Sequence, residues 1–289
     1  RYAVVTPARN ESGYIDHTLA SMAGQTVPPE RWVVVDDGST DDTAELVQAY
    51  ADKYSWIELI RLPAGRQRTF AAKVGAFDAG YARLEGLDLD VVANLDADIS
   101  FDSDYFAFLL DKFAEDPRLG VAGTPFVEEG VQYDYRYTNV AHVSGACQLF
   151  RRECWNEIGG YVPIEGGGID WVAVTTARMR GWTTRTFTER TCQHHRAMGT
   201  GARRGQLRAL YRHGRKDHAL GGHPLWQMFR AAYQMTRRPF LTGGGALLLG
   251  YASAWLTRAP RSVSDELMRF NQQEQLTRLR AALRLPGGK

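Results

Sequence analysis

Two aspartates end an apolar run near the middle of the chain. In "VVANLDADIS", Asp96 and Asp98 follow the apolar residues and are one residue apart. Burying either carboxylate without a partner would cost several kcal/mol, so we expect a positive group beside them. Mg²⁺ and Mn²⁺ prefer oxygen ligands, and Mg²⁺ is usually held by one or two carboxylates together with substrate phosphates. The pair therefore fits a metal–diphosphate site, although an isolated pair of this kind also closes turns or caps helices.

The elements that position this pair alternate between strand and helix. We predict strands in "YAVVT", "RWVVVD", "IELIRLP" and "DVVANLDAD", each followed by a segment with apolar residues at helical spacing. This alternation predicts an α/β fold with a mostly parallel central sheet flanked by helices. Ligands of such sheets bind beyond the carboxyl ends of the strands, where the pair Asp36 and Asp37 also stands. We expect both acidic pairs to line one crevice.

Later segments continue the pattern and then change in composition. "DYFAFLLDKFAEDP" predicts a helix, "GVAGTPFVEE" and "HVSGACQLFRREC" predict strands, and "WNEIGGYVP" predicts a short helix. "DWVAVTTARMRGW" predicts a helix that begins at Trp171 and is stopped by Gly181. From Thr191 onward the chain is rich in Arg, His and Gly. We therefore predict a domain over residues 1–190 and a basic, helical C-terminal region over residues 191–289.

Bulk composition excludes some classes of protein. With 35 basic and 33 acidic side chains the formal charge is only +2, so we expect no nucleic-acid partner. The three cysteines, Cys147, Cys154 and Cys192, have no metal-ligand spacing and indicate structural thiols in a reducing compartment. The sequence opens directly in an apolar strand pattern, so we expect a protein of the cytoplasm.

Four motifs occur in a fixed order: "VVTPARNE", "VVVDDGSTDDT", "NLDADI" and "GGGIDW". Together they resemble the family 2 glycosyltransferases of the GT-A fold, over roughly residues 2–196. The resemblance implies a Rossmann-like sheet, with a nucleotide-binding half at about 1–100 and an acceptor-binding half at about 101–190. No G-x-G-x-x-G follows the first strand, which sets aside a dehydrogenase.

The resemblance assigns the first two motifs to the sugar donor. Thr6 and Pro7 would lie under the nucleotide base, and Asp37 would accept a hydrogen bond from a base imide, since a carboxylate offers only acceptors. Asp36 would brace the loop. The segment from Ser39 to Asp42 would also cap the next helix.

The resemblance also implies a metal site. Asp98 would bind Mg²⁺ or Mn²⁺ between the two phosphates, and Asp96 would contact the ribose or a metal-bound water. One of the adjacent histidines His194 and His195, for which we choose His194, would complete the metal shell or close over the diphosphate. The expected contacts of basic side chains with the donor come from Arg9, Lys73 and Arg196, with Arg66 as a further candidate that could equally be solvated. Arg196 would act with Arg203 and Arg204 as a mobile lid.

The glycine-rich "IEGGGIDWVAV" segment holds the general base in the family, and Asp170 is the residue that matches. A base must take the acceptor proton on the side away from the leaving phosphate. The family usually has an acidic residue directly before it, but here that position is Ile169, and Glu165 could substitute. The alternative for Asp170 is a simple N-cap of the helix from Trp171.

The uncharged stretch "FLTGGGALLLGYASAWLT" is flanked by Arg237, Arg238, Arg258 and Arg261. Its glycines weaken a full membrane span. We predict instead that residues 226–261, with Trp226 and Trp255, contact a membrane surface whose anionic headgroups meet the arginines. The alternative is a helical pair packed on the catalytic domain or on another subunit.

These observations predict an inverting, metal-dependent glycosyltransferase, peripheral at the inner face of the cell membrane. It would move a single sugar from a nucleoside diphosphate sugar, by default a UDP-sugar, to a hydroxyl of a glycan or lipid-linked acceptor. A Gln-x-x-Arg-Trp motif is missing from the sequence, which argues against a polymerising enzyme. The alternatives are transfer to polyprenyl phosphate and, because of Ile169, a catalytically silent subunit that binds nucleotide sugars.

Overall fold

The computed structural model describes residues 1–63, 70–128, 131–132, 139–164, 166–196 and 203–284. Arg66 and Glu165, and the side chains of Arg203 and Arg204, lie outside the described part. The chain divides into two compact units. The first unit is Arg1–Glu165 with Ile169–Met198, and the second is Gly166–Gly168 with Gly199–Lys289.

The first unit contains eleven strands and six helices in its described residues. Its first half contains β1 (Tyr2–Ala8), α1 (Ile15–Ala23), β2 (Arg31–Asp36), α2 (Thr43–Ala51), β3 (Ile57–Arg61), α3 (Phe70–Tyr81), β4 (Val91–Leu95) and β5 (Ile99–Ser100). Its second half contains α4 (Tyr105–Glu115), β6 (Leu119–Gly123), β7 (Phe126–Glu128), β8 (Val131–Gln132), β9 (Cys147–Arg151), α5 (Arg152–Ile158), α6 (Ile169–Met179), β10 (Thr183–Thr186) and β11 (Cys192–His194).

Seven strands form the central sheet, in the order β10-β6-β9-β4-β1-β2-β3. Only β9 runs antiparallel to its neighbours, β4 and β6. The predicted α/β class with a mostly parallel sheet is therefore confirmed. In the register, Ala8 lies beside Asp36 and Val5 lies beside Asn94. The loops after β1, β2 and β4 consequently leave the sheet at the same edge.

The central strands are buried because helices cover the sheet. Val33, Val34 and Val35 are fully buried, as expected for a continuous apolar run in a parallel sheet. Helix α3 lies close to the strands at Gly80, where a Cβ would stand 2.5 Å from Val5 and 2.8 Å from Val35 side-chain atoms. Only glycine allows that approach, and it holds the C-terminal part of α3 against the sheet.

A second, smaller sheet has the order β5-β11-β7-β8. Strand β11 pairs antiparallel with β5 and parallel with β7. This sheet joins the segment after β4 to the segment 192–196. It therefore brings two distant acidic and basic segments of the sequence together.

Two predicted helix starts were wrong. The short helix expected from Trp155 begins at Arg152, directly after β9, and ends at Gly159 with a φ of +73°. The helix expected from Trp171 begins at Ile169. Asp170 thus lies in the first turn of α6 and is not its N-cap.

The second unit is helical, with α7 (Arg203–Ala219), α8 (Pro224–Met235), α9 (Thr242–Leu256) and α10 (Asp265–Arg284). Helix α9 packs against α7 and α8 through its glycines. A Cβ at Gly250 would overlap the Tyr211 carbonyl, and one at Gly244 would overlap the Ala231 carbonyl. Across the described ranges, none of the helices is both long enough and apolar enough to traverse a bilayer.

Candidate active site

The loops after β1 and β2 are joined by hydrogen bonds. The Asn10 side-chain oxygen accepts from the Thr40 backbone N–H at 2.8 Å, and the Asn10 N–H donates to the Ser39 hydroxyl at 2.9 Å. The Glu11 N–H donates to the Thr43 hydroxyl at 2.8 Å. Because these bonds run in both directions, each loop fixes the conformation of the other.

Asp41 makes the side-chain hydrogen bonds at the N-terminal end of α2. Its carboxylate accepts from the Thr43 hydroxyl at 2.5 Å, from the Thr43 N–H at 3.2 Å and from the Ser12 N–H at 3.1 Å. Burial opposes ionisation, but the hydrogen bonds from Thr43 and Ser12 outweigh it and lower the pKa of Asp41 to about 2. The predicted cap within residues 39–42 thus falls to Asp41, since Asp42 makes no side-chain cap bond. Asp36 accepts from the Ser39 N–H at 2.9 Å, as expected for a residue that braces the loop.

The residues predicted to hold the nucleotide lie at the ends of β1 and β2. Thr6 is fully buried, and its hydroxyl accepts from the Trp32 indole N–H at 2.9 Å. That hydroxyl is committed inside the core, which leaves Pro7 as the partly exposed member of the predicted pair. Asp37 is buried, and an Arg9 guanidinium nitrogen lies 3.8 Å from its carboxylate. The structure therefore brings Arg9 and Asp37 together at the sheet edge.

Lys73, from α3, forms an ion pair with Asp96 just beyond β4. The ammonium nitrogen is 2.5 Å from the carboxylate oxygen, and both side chains are about one-quarter to one-third exposed at 30% and 26%. Burial raises the pKa of Asp96, although Lys73 acts in the opposite direction. Burial acts to lower the pKa of Lys73, but it is outweighed by the charge and the hydrogen bond of Asp96 together with the charges of Asp170 and Asp98. The pKa of Lys73 is therefore raised, and the ammonium stays charged among three carboxylates.

Asp98 lies beside the basic segment 194–196, which the pairing of β11 with β5 in the smaller sheet positions. The His195 N–H donates to the Asp98 backbone carbonyl at 2.9 Å. The His194 Nε2 atom lies 3.7 Å from the Asp98 carboxylate, and the Arg196 Nε atom lies 3.5 Å from it. On its other side, the His194 Nδ1 atom is 4.0 Å from Glu128. Asp98 is thus flanked by one imidazole and one guanidinium.

The two adjacent histidines face different partners. The His195 Nε2 atom shares a hydrogen bond of 2.7 Å with the Ser100 hydroxyl, and the ring stacks on His17 at 4.3 Å. Burial, with the neighbouring His17, lowers the pKa of His195. The ring of His195 thus faces Ser100 and His17, and His194 is the ring beside the Asp98 carboxylate.

Glu11 is a site residue that the sequence reasoning missed. Its buried carboxylate forms a short ion pair with Arg196, whose guanidinium also lies 5.2 Å from the Tyr14 ring centre. Arg196, expected to clamp phosphate, therefore bridges two carboxylates, those of Glu11 and Asp98, in this structure. The available signal was its place as the last residue of "VVTPARNE", three residues after the end of β1.

Asp170 reaches the same region through a glycine contact. A Cβ at Gly145 would stand 3.1 Å from the Asp170 Cβ and 3.4 Å from a carboxylate oxygen. The Gly145 carbonyl accepts from the Asn94 side chain at 2.8 Å, and the Ala146 carbonyl accepts from the Asp96 N–H at 2.9 Å. The backbone at 145–146 therefore links Asp170 to the end of β4. Neither Gly145 nor Asn94 was predicted as part of the site.

The donor set around Asp98 suits a hard divalent cation bound by few protein ligands. Asp96 and Asp98 offer carboxylate oxygens, and the His194 Nε2 atom is the ring nitrogen on the side of Asp98. Among the residues that the structure describes, no group of three or more His, Cys, Asp or Glu side chains is arranged to hold an ion by itself. Mg²⁺ in phosphate-handling sites is commonly held by one or two carboxylates with phosphate and water, and the residues present fit that arrangement.

A mostly parallel sheet that gathers these acidic side chains at one edge defines an α/β protein whose ligand site lies beyond the carboxyl ends of the strands. The sequence matches the profile described as Glycosyl transferase family 2 over residues 3–169, and the chain belongs to this family. It is 32% identical over 117 residues to a poly-beta-1,6-N-acetyl-D-glucosamine synthase of Staphylococcus aureus. The corresponding synthase of Staphylococcus epidermidis is 29% identical over 117 residues. Each alignment covers 40% of this chain and 26% of the relative, so the chain spans about a quarter of those proteins.

Solved structures with the same fold cover most of the chain. A mannosyltransferase from Pyrobaculum calidifontis in complex with GDP-Man and Mn²⁺ has a TM-score of 0.56 and 22% identity, covering 99% of this chain and 81% of that chain. Residues 1–349 of Staphylococcus aureus TarS in complex with UDP-GlcNAc have a TM-score of 0.56 and 16% identity, covering 94% and 78%. The predicted family, the GT-A fold and the assignment as a glycosyltransferase are confirmed.

Proposed function

We propose that the protein transfers a single sugar from a nucleoside diphosphate sugar to an acceptor hydroxyl, with inversion at the anomeric carbon. The observation that carries the proposal is that the carboxylates of Asp96, Asp170 and Asp98 all act on Lys73. The backbone at 145–146 also contacts both Asp96 and Asp170. The similar structures in complex with UDP-GlcNAc and with GDP-Man support this class of donor. A UDP-sugar is our default donor.

Donor binding would use the charged side chains at the sheet edge. Asp37 would accept from the base, while Arg9, Lys73 and Arg196 would donate to the diphosphate. Each of these cations lies beside a carboxylate in this structure. Phosphate oxygens would therefore contact basic side chains that carboxylates already hold in place. Because these side chains are ordered before the donor arrives, they lose little conformational entropy on binding.

Asp98, with Asp96 and His194, would hold Mg²⁺ or Mn²⁺. When bound, such an ion supplies Lewis-acid stabilisation of the negative charge on the departing nucleoside diphosphate. Glu11 gives Arg196 a second anionic partner. This guanidinium can therefore turn from Asp98 toward phosphate without losing all of its charge compensation.

Asp170 would be the general base. Its carboxylate would take the proton of the acceptor hydroxyl as that oxygen attacks the anomeric carbon, and the carbon–phosphate oxygen bond would break on the opposite face. A single displacement of this kind inverts the configuration. Gly145 leaves the space in which the Asp170 carboxylate stands.

The acceptor in this proposal is a hydroxyl of a glycan or of a lipid-linked glycan at the inner face of the cell membrane. The uncharged helix α9, flanked by arginines, supports the membrane location. Transfer to polyprenyl phosphate would use the same donor site.

A comparison of Asp170→Asn with the unaltered chain tests the proposal. Donor binding, followed by thermal shift with Mn²⁺ and a set of nucleotide sugars, should be kept, because the variant retains shape and hydrogen-bonding capacity. Transfer should fall by about 10²- to 10⁴-fold, the usual contribution of a general base. Equal transfer by both proteins would exclude Asp170 as the base. Full turnover after removal of divalent cations by EDTA would exclude the metal.

A further inference from the structure

Helix α9 exposes an apolar face along its whole length. Leu241, directly before the helix, is 70% exposed, and within the helix Leu249, Trp255 and Leu256 are 66%, 60% and 72% exposed. They fall on one side of the helix with Gly245, Leu248 and Ala252, at the three- and four-residue spacing of an α-helix. The opposite side, with Leu247 and Tyr251, is buried. A surface helix normally turns polar residues outward, so this face requires a covering partner.

Arginines stand at both ends of this face. Arg237 and Arg238 precede α9, Arg258 and Arg261 follow it, and all four are exposed. No acidic residue occurs in the sequence between Asp217 and Asp265. The fifteen residues of α9 span about 22 Å at 1.5 Å per residue, and the arginines place positive charge at each end of this length.

This charge pattern disfavours a second copy of the chain as the partner. In a two-fold contact the same surface meets itself, whether α9 pairs parallel or antiparallel. The arginines of one copy would then face the arginines of the other, with no acid of this segment to separate them. A better match is a surface with an apolar layer beneath an anionic one. The apolar layer would cover the exposed face of α9, and the anionic layer would contact the arginines at its two ends.

We propose that the outward face of α9 (Gly245, Leu248, Leu249, Ala252, Trp255 and Leu256), together with Leu241 directly before it, lies in the interface of an anionic lipid bilayer. The helix lies parallel to the surface, the leucines and Trp255 enter the boundary of the acyl chains, and the four arginines contact lipid phosphates. This inference deepens the membrane location given under the proposed function. It does not depend on the sugar chemistry, because the contact involves no residue of the candidate active site.

Flotation with lipid vesicles tests the surface. The full chain should float with vesicles of phosphatidylcholine that contain about one third phosphatidylglycerol, and much less with phosphatidylcholine alone. The double variant Leu249→Gln with Leu256→Gln should lower the bound fraction about tenfold, because two leucines no longer enter the apolar layer. Leu283→Gln is the matched control: Leu283 is 73% exposed on α10, outside the face. This control should leave binding unchanged.

A second pair of variants separates charge from apolar contact. Arg258→Gln with Arg261→Gln should reduce binding to anionic vesicles toward the level seen with neutral vesicles. Equal binding to both vesicle types by the unaltered chain would overturn the proposal, and so would full binding by the double leucine variant. A chain that binds no vesicles, yet forms a dimer that the leucine substitutions dissociate, would assign the face to a second copy. The assay contains no sugar donor, so failure here leaves the proposed transferase chemistry untouched.

Discussion

Gly145→Ala should separate the placement of Asp170 from donor binding. The added Cβ would stand 3.1 Å from the Asp170 Cβ and 3.4 Å from its carboxyl carbon and one oxygen. Carbon atoms in contact prefer about 3.5–4.0 Å, so Asp170 has to move by about half an ångström. A displacement of about 1 Å in a catalytic group costs about 10²-fold in rate, so we expect transfer to slow by about tenfold.

The same substitution should change stability little. The close contact is unfavourable, but replacing glycine by alanine restricts the unfolded chain, which stabilises by about 0.4–1 kcal/mol where φ is compatible. Gly145 is not among the glycines with positive φ. We therefore expect an unfolding free energy within about 1 kcal/mol of the unaltered chain, and an unchanged donor affinity.

The assay compares kcat for transfer with the donor dissociation constant from calorimetry. Gly166→Ala is the matched control, because a Cβ at Gly166 meets nothing within 4 Å and its φ is not positive. Adding Gly145→Ala to Asp170→Asn should cause no further loss, since both changes act through one carboxylate. Wild-type kcat in Gly145→Ala would refute the assignment of Asp170 as base at this position.

Three further perturbations test the site and its support. Lys73→Met should destabilise the fold by about 2 kcal/mol at pH 7, because it leaves Asp96 partly buried without its cation. Burial raises the pKa of Asp96, and loss of Lys73 raises it further. The loss in unfolding free energy should therefore grow as pH rises through that pKa and shrink in acid. Lys53→Met, on the surface, is the control and should show no such trend. Asp41→Asn should lower the unfolding free energy by about 1 kcal/mol at pH 7. This difference from the unaltered chain should disappear as pH falls from 3.8 toward 2, because the hydrogen bonds that lower the pKa of Asp41 stabilise only its ionised form. Gly250→Ala should cost about 3 kcal/mol or more, because its Cβ would overlap a backbone carbonyl of α7.

These outcomes are read from urea unfolding followed by circular dichroism. For the helical unit, Gly245→Ala is the control, because a Cβ there meets nothing within 4 Å. It should be neutral or slightly stabilising. A constant Lys73→Met penalty across pH, or an Asp41→Asn penalty that persists at pH 2, would contradict the charge argument.

The sequence predicted the scaffold of the site well, for a physical reason. A continuous apolar run such as Val33 to Val35 is buried on both faces, and parallel strands share an edge at their carboxyl ends. Acidic residues directly after such runs, at Asp37 and Asp96, therefore had to leave the sheet at one edge. Local pattern and topology were sufficient there.

Contacts between residues that are far apart in the chain could not be predicted from the sequence. Glu11 and Arg196 are far apart in the chain, and only the smaller sheet brings them together. Its strands are two or three residues long, too short for alternation to be detected. The choice between His194 and His195 depends on the register of β11 against β5, which places His194 opposite Ile99. A shift of one residue would exchange the two rings, and composition does not specify that register.

The charge balance of the site supports the part of the proposed function in which the diphosphate binds together with a divalent cation. Lys73 lies in the field of Asp96, Asp98 and Asp170, and Arg196 contacts both Glu11 and Asp98. Two cations thus face four carboxylates in this part of the described structure. A bare diphosphate would add negative charge to a region that is already anionic, at a cost that rises as water is excluded. Asp96 and Asp98 would hold a divalent cation whose charge offsets the charge that the diphosphate adds, and Lys73 and Arg196 would then donate to phosphate oxygens.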